Sequence, residues 1–259
     1  MYSPWTRDGR VRAEVVTVAP DVSGLVTRVL VQDNQVVRKG DLLFQIDQER
    51  FRLALAQAEA QVVTRKAELD MRRQQAFRRA KLENSVISAE SREDSSSQAA
   101  QALGNYQAAV AARDTAKLNL QRSEIVAPVD GYVTNLNLYA GNYASAGIAR
   151  MAIIDKNSYW VYGYFEETKL PNVRVGDKVE VRLLSGETTL KGHVESIARG
   201  ITDRDNPSGP NLLADVNPVF TWVRLAQRVP VRVHLDHIPY GLVLAMGTTC
   251  TVSILPSKH

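Results

Sequence analysis

The sequence predicts a mixed α and β protein, with a small β-domain split by an inserted antiparallel α-hairpin and followed by a β-barrel. Three observations predict this fold. A β-rich pattern occurs twice, a helical stretch with one Gly and no Pro separates the copies, and the last third is again rich in β-branched and aromatic residues. The predicted segments are an N-terminal strand joining the two β regions (1–18), a first half-domain (19–47), the hairpin (48–123, turn near 83–88), a second half-domain (124–155) and the barrel (156–259).

Composition excludes several classes of protein. The net charge of +4 comes from 32 basic and 28 acidic residues, a balance too mild to indicate a nucleic-acid partner. A lone cysteine, Cys250, cannot form an internal disulfide. No apolar run reaches the roughly 18 residues of a transmembrane helix, and residues 1–12 lack the apolar core of a secretory signal. Because no internal disulfide is available, we expect the folded chain to be stabilised by the packing of its side chains.

The repeated β pattern runs from 19 to 47 and again from 127 to 155. Each copy begins with Ala-Pro, and each has one glycine followed one position on by Val-Thr, with a second glycine sixteen residues after the first. One copy has too few strands to close a core, so we expect both copies to pack together as one domain. The shared glycines, predicted to hold its turns, are Gly24, Gly40, Gly131 and Gly147.

The intervening stretch has the periodicity of a helical hairpin. Asp47 and Ser88 are predicted helix N-caps, and the turn falls between the two helices. Steps of four and three residues, the spacing of a coiled-coil seam, relate Phe51, Leu55, Ala58, Val62, Arg65, Leu69, Arg72 and Ala76. The second helix repeats that spacing at Ala99, Ala102, Tyr106, Ala109, Arg113, Ala116 and Leu120. Two such seams joined by a short turn predict an antiparallel coiled coil.

The remaining residues predict strands and offer little chemistry. Trp160, Tyr162 and Tyr164 alternate along one strand, as a packed sheet face or as a surface that stacks an aromatic ligand. His234 and His237 are three apart, so on a strand they point to opposite faces and make a poor metal pair. Motifs for a nucleophile elbow, a phosphate loop or a dinucleotide fold are missing. We therefore predict no enzyme activity, no catalytic residue, no metal site and no cofactor.

The repeat copies resemble the two halves of a biotinyl/lipoyl-type domain, but no lysine lies where carriers bear the modified one. At the corresponding junction stand 47–49 and 124–125, with the hairpin between them. A split lipoyl-like domain with an inserted α-hairpin and a following barrel resembles the membrane fusion proteins, the HlyD-type periplasmic adaptors. Segments 3–8, 19–24, 33–35, 166–170 and 222–232 are most similar to the p-hydroxybenzoic acid efflux subunits of that family. Multidrug adaptors of major-facilitator pumps are similar in the first half.

The resemblance implies an elongated adaptor linking an inner-membrane transporter to an outer-membrane channel. It also implies a periplasmic location with an inner-membrane anchor ahead of Ser3, and a homo-oligomer, trimeric or hexameric. The cargo would be aromatic acids or other small toxic compounds. Adaptors of multidrug major-facilitator pumps or of protein-secreting ABC exporters are alternatives, and a lipoyl or biotinyl carrier is a distant one.

Two sets of partner-binding residues follow from the resemblance. At the hairpin tip, the residues expected to meet the channel or a neighbouring tip are Leu82, Asn84, Ser85 and Ser88. A capped turn without a partner is the alternative for these four. In the barrel, the residues expected to contact the transporter are Arg224 and Arg228. Pairing with acidic neighbours on the barrel is the alternative for these two.

Overall fold

A computed structural model describes residues 3–82, 88–186, 188–200, 226–239 and 242–255. The chain divides into two compact units, residues 15–154 and residues 1–14 with 155–259. In chain order the elements are β1 (Trp5–Arg12), β2 (Val15–Val18), β3 (Gly24–Val29), β4 (Val36–Val37), β5 (Leu42–Ile46), α1 (Glu49–Ala80), α2 (Ala89–Gln121), β6 (Glu124–Val126), β7 (Gly131–Thr134), β8 (Tyr143–Ala144), β9 (Met151–Asp155), β10 (Trp160–Glu166), a 3₁₀ helix (Glu167–Asn172), β11 (Lys178–Leu183), β12 (Thr189–Ile197), β13 (Arg228–Leu235) and β14 (Thr249–Ile254).

The first unit contains two four-stranded sheets around one core. Their strand orders are β2-β9-β7-β4 and β6-β5-β3-β8. Each sheet therefore combines strands of both repeat copies with one strand, β2 or β6, that directly precedes a copy, which explains why one copy alone cannot form the domain. Apolar side chains from both copies fill the core, among them Val26, Leu43, Phe44, Ile46, Val133, Leu138 and Ile153. Burial of each large apolar side chain contributes about 1.5–3 kcal/mol.

The two copies are related by an internal twofold pattern. The equivalent strands are β2 and β6, β9 and β5, β7 and β3, and β4 and β8. The two sheets therefore have the same order of equivalent strands. Gly40 and Gly147 occupy equivalent turns with φ of +93° and +77°, where a side chain would be strained. Gly24 and Gly131 are not turn residues: they begin β3 and β7. Close packing requires glycine there, since a Cβ on Gly131 would lie 2.0 Å from the Ile154 carbonyl oxygen.

The hairpin is formed by α1 and α2, which pack against each other in antiparallel order. All predicted seam positions of both helices are buried or half-buried. The N-cap of α1 is Gln48 rather than Asp47, although the Asp47 carboxylate accepts the Glu49 N–H at 3.0 Å. Ser88 caps α2 as expected, accepting the Ser91 N–H at 3.2 Å. Phe51 and Leu120, at the base, pack on the core of the sheets.

The second unit contains a closed barrel in the order β1-β10-β13-β12-β11-β14. Its first strand comes from the N-terminus, whereas the next strand, β2, belongs to the sheets of the other unit. Along β10, Val161 and Phe165 are fully buried in the barrel, and the alternating aromatic residues lie half-buried on its outer face. Neither described α-helix has an apolar stretch long enough to cross a bilayer.

Candidate partner-binding sites

The predicted site residues are only partly within the described ranges. Leu82, Ser88 and Arg228 are described. Asn84 and Ser85 at the tip and Arg224 before β13 lie outside the described residues. Partner binding at these positions therefore stays a prediction.

At the tip, Leu82 lies just past the end of α1, and 44% of it is exposed. Its N–H donates to the Arg79 carbonyl at 3.3 Å, so the backbone continues the last helical turn. The Arg92 guanidinium on α2 donates to the Leu82 carbonyl. This bond ties the start of α2 to the end of α1, and Leu82 is not among the buried residues of the described core.

A second apolar side chain near the tip was missed in the sequence. Phe77 is 61% exposed, and the Lys81 ammonium lies 4.2 Å from the centre of its ring. The sequence could have indicated this exposure, because Phe77 directly follows the seam residue Ala76 and therefore lies outside the seam. An exposed Phe and an exposed Leu at one end of a hairpin are typical of a protein contact.

The distal part of the seam is polar. Arg72 donates to the Gln98 side chain at 2.8 Å, and Arg79 donates to the Ser95 hydroxyl at 2.7 Å. Ser95 is only 4% exposed and also donates to the Ser91 carbonyl at 2.6 Å. Arg72 and Arg79 of α1 therefore bridge the two helices near the tip, and Arg79 binds Ser95 rather than a carboxylate of α2.

In the barrel, Arg228 opens β13 opposite Glu166 of β10. Its guanidinium lies 2.6 Å from the Asp8 carboxylate, in an ion pair whose side chains are 60% and 34% exposed. Pairing with an acidic neighbour, the alternative considered for Arg228, is thus observed. An exposed pair of this kind contributes only ~0–1 kcal/mol, so the guanidinium can exchange partners at low cost.

An open cleft of about 320 Å³ surrounds this ion pair. Lys169 donates to the Trp5 carbonyl at 3.3 Å and lies 3.5 Å from the Glu166 carboxylate. Arg7 and Lys169 each lie 5.5 Å from the centre of the exposed Trp5 ring. The remaining lining residues are Thr6, Asp8, Tyr164, Glu166 and Arg228.

The outer face of the barrel carries further polar contacts that only the strand register brings together. His193 and His234 contact each other across β12 and β13 with tilted rings whose centres are 5.2 Å apart, and His193 Nδ1 lies 2.6 Å from an Asp236 oxygen. The Arg232 guanidinium lies 4.4 Å from the Trp160 ring. Burial opposes the charge of Arg232, but Glu195 at 2.7 Å more than compensates and raises the pKa of the guanidinium.

The described residues offer little for metal or thiol chemistry. Within them, no group of three or more His, Cys, Asp or Glu side chains is placed to hold a metal ion. Burial raises the pKa of the Cys250 thiol to about 12, so the thiol stays protonated and unreactive at neutral pH.

Two family models match the chain and divide it as the structure does. Residues 14–156 match the RND MFP (membrane fusion protein) barrel-sandwich hybrid domain, and residues 158–255 match the AAEA-like beta-barrel domain. The first match includes the complete α-hairpin together with both halves of the β-sandwich.

Individual proteins are also similar to this chain, either in sequence or in structure. A relative named Uncharacterized protein YdhJ, from Escherichia coli (strain K12), is 43% identical over 254 residues, covering 98% of this chain and 89% of the relative. The membrane fusion protein Spr0693 from Streptococcus pneumoniae R6 has a similar structure, with a TM-score of 0.71, 17% identity and coverage of 98% and 99%. The periplasmic adaptor protein EmrA gives a TM-score of 0.52, 18% identity and 98% coverage of each chain. At these identities the two solved structures are similar in fold alone.

Proposed function

This chain belongs to the membrane fusion protein family, the adaptors of efflux pumps, and on that premise we propose that it is the periplasmic adaptor subunit of a bacterial efflux pump. It would link an inner-membrane transporter to an outer-membrane channel without catalysing a reaction. We further propose that the subunit is anchored to the inner membrane and acts as a homo-oligomer. Aromatic acids or other small toxic compounds are the proposed cargo.

One observation carries the proposal. A hairpin of two helices, about 50 Å long at ~1.5 Å per residue, is inserted between the two halves of a β-sandwich, and its predicted seam positions are buried or half-buried. A carrier domain would need a short turn with a modifiable lysine at this junction. Here the junction is closed instead by a bond between the end of β5 and the segment after α2, in which the Ser123 carbonyl accepts the Ile46 N–H at 2.9 Å.

The tip is tested by the substitution Leu82→Asp. Because Leu82 is 44% exposed and adjoins no described core, we expect this change to abolish resistance in a deletion strain challenged with hydroxylated aromatic acids. The melting temperature should change by no more than a few degrees. The matched control is Leu53→Asp on the solvent face of α1, where the leucine is 72% exposed and full resistance is expected.

Resistance that survives Leu82→Asp would show that this side chain contacts no partner. A large loss of stability would instead assign Leu82 to packing. If the deletion strain itself is no more sensitive than its parent to these acids, the proposed cargo is wrong. Sensitivity to unrelated drugs would then favour an adaptor of a multidrug major-facilitator pump, and loss of an exported protein would favour an ABC exporter.

The barrel is tested by replacing Arg224 and Arg228 with alanine together. We propose that these arginines bind the transporter, since Arg228 is exposed at the rim of a cleft that also presents Trp5 and Arg7. The double variant should recover less transporter in a membrane pull-down and keep its fold. Arg182→Ala, an exposed arginine on β11, is the control. If the double variant recovered as much transporter as the wild type, Arg228 would not bind the transporter, and its role would be the ion pair with Asp8.

A further inference from the structure

The barrel has two ends, and the chain continues to the β-sandwich from only one of them. At that end β1 finishes and β10 begins, where Arg12 pairs with Trp160. At the other end β1 begins at Trp5, and β10 and β13 meet in the pair of Glu166 and Arg228. We name this second end the Trp5 end. The cleft of about 320 Å³ around the Arg228 ion pair lies there.

An exposed indole with two cations beside it marks the Trp5 end. Trp5 is 46% exposed, and the Arg7 guanidinium and the Lys169 ammonium each lie 5.5 Å from the centre of its ring. Tryptophan rings are enriched at the headgroup level of membranes, because the ring is apolar at one side and carries a polar N–H. Lysine and arginine side chains are attracted to the negative potential of anionic lipids. The combination is therefore typical of a protein surface that lies on a bilayer.

Further apolar and cationic side chains stand at the same end. β14 finishes here, where Ser253 pairs with Trp5, and β11 begins here, since the Leu255 N–H donates to the Lys178 carbonyl at 2.8 Å. Leu255 is 36% exposed, and Val175, in the turn before β11, is 65% exposed. Lys178 is exposed as well. The Trp5 end thus presents a broad surface of mixed apolar and basic side chains, and the cleft is one part of it.

The charge of the cleft favours an anionic partner. Three cations and two carboxylates line it, and each carboxylate already has a cation: Arg228 lies 2.6 Å from Asp8, and Lys169 lies 3.5 Å from Glu166. The contact described for Arg7 is the Trp5 ring, and no carboxylate of the described residues forms an ion pair with it. Exposed ion pairs are weak, so Lys169 can exchange Glu166 for another anion at low cost. Arg7 and Lys169 are therefore the cations available to a ligand.

We propose that the Trp5 end of the barrel binds the headgroup region of an anionic phospholipid bilayer, with the Trp5 ring among the headgroups and Arg7 and Lys169 on lipid phosphates. The inference adds a lipid contact to the proposed function and rests on it for one point, that an anchor ahead of Ser3 would enter the barrel at this end. A bilayer is for that reason favoured here over a second protein. Arg228 stays available to the transporter. Binding by one ring and a few cations is weak and reversible compared with a spanning helix.

Co-sedimentation of the full chain with lipid vesicles tests the proposal. The chain should bind vesicles of phosphatidylcholine mixed with phosphatidylglycerol at least about tenfold more tightly than vesicles of phosphatidylcholine alone. Arg7→Gln combined with Lys169→Gln should weaken binding to the mixed vesicles at least about tenfold, because each basic side chain near an anionic surface contributes a several-fold factor. The matched control, Arg182→Gln with Lys191→Gln, removes the same charge from exposed positions of β11 and β12 and should bind within about twofold of the wild type.

Circular dichroism checks the fold of each variant. Since Lys169 also donates to the Trp5 carbonyl, the single variant Arg7→Gln keeps the test valid if the double variant does not fold. The single variant breaks no described hydrogen bond and should weaken binding to the mixed vesicles about fivefold.

A second measurement locates the indole. Mixed vesicles that contain brominated lipid should quench part of the tryptophan fluorescence of the wild type, and Trp5→Phe should lose that quenching. Inorganic phosphate should displace the chain from vesicles no better than sodium chloride of equal ionic strength. Stronger displacement by phosphate would assign the cleft to a free phosphate compound and overturn a bilayer contact.

Three further outcomes would also overturn the proposal. They are a wild type that does not bind the mixed vesicles, a folded Arg7→Gln variant that binds them as well as the wild type, and quenching that persists in Trp5→Phe. Normal vesicle binding by the Arg7→Gln variant together with poorer transporter recovery would assign the cleft to a protein partner. Loss of vesicle binding as a finding would leave the adaptor function standing, whereas a deletion strain without sensitivity would refute the proposed cargo and leave the lipid contact standing.

Discussion

The β-sandwich and the α-hairpin belong to one compact unit, but different contacts stabilise them. In the sandwich, Phe44, Ile46 and Ile153 are fully buried between two sheets. Among the described residues of the two hairpin helices, only Phe51 and Leu69 of α1 and Ser95 and Ala102 of α2 are buried, and the seam becomes polar towards the tip. Two helices have one contact face each, so a seam side chain keeps an exposed flank. Two facing sheets enclose their side chains completely.

The sandwich is expected to stabilise the hairpin more than the hairpin stabilises the sandwich. The sandwich has a core that is complete except for Phe51 and Leu120 from the hairpin base. The hairpin has no comparable core of its own, and its distal contacts are single hydrogen bonds, each contributing about 0.5–1.5 kcal/mol. We therefore expect the sandwich to unfold cooperatively at high denaturant and the distal hairpin to open first.

The largest expected effect is that of Phe44→Ala in the sandwich. A fully buried phenylalanine replaced by alanine loses its apolar contacts and leaves a cavity, which costs about 3–5 kcal/mol. Urea unfolding followed by circular dichroism measures the change. Phe77→Ala, the same substitution at a 61% exposed position, should change the free energy of unfolding by less than about 0.5 kcal/mol. If both substitutions lowered the free energy of unfolding equally, the sandwich core would not be the main source of stability.

A smaller effect is expected from Leu69→Ala in the seam. Leu69 is 3% exposed, but its flanks can relax towards solvent, so the cost should fall near about 2 kcal/mol, the low end for buried leucines. The loss should appear in the helical signal at lower urea while the β transition stays in place. Leu53→Ala, at a 72% exposed position of the same helix, serves as the control. A joint shift of both transitions would show that hairpin and sandwich unfold as one.

The smallest effect on the sandwich is expected from shortening the hairpin. Replacing residues 56–115 by a short Gly-containing turn keeps Phe51 and Leu120, so the sandwich should lose less than about 0.5 kcal/mol. Replacing the entire 48–123 segment removes Phe51 from the core and should cost about 1.5–3 kcal/mol more. Both proteins should keep their β signal by circular dichroism. Loss of that signal in the shorter deletion would contradict a sandwich that folds without its insert.

Local features of the hairpin could be predicted from the sequence. Side chains three and four positions apart share a helix face, so the spacing from Phe51 to Ala76 identified the buried positions of α1 without knowledge of the partner helix. The Ser88 cap was predictable because the Ser88 hydroxyl accepts the N–H of Ser91, only three residues along the chain. The exposed Phe77 was detectable only as a departure from the same periodicity.

Features of the barrel depend on residues far apart in the chain. Arg228 meets Asp8 because β13 and β1 both neighbour β10, a relation that no local pattern contains. His193 meets His234 through the register of β12 on β13, whereas the sequence suggested only the non-contacting pair of His234 and His237. Strand register is a long-range property, set when whole sheets close.

The amino-acid sequence was enough to predict the twofold repeat and the helical insert, because repetition and periodicity depend on local spacing. Its resemblance to membrane fusion proteins indicated the arrangement of the domains. The tertiary structure was needed to show that each of the two sheets contains strands of both copies. Strand pairing also explains why Gly24 and Gly131 are needed for close packing at the start of β3 and β7. These features depend on which strands lie side by side, and that choice follows from burying one shared core rather than from the preferences of any single segment.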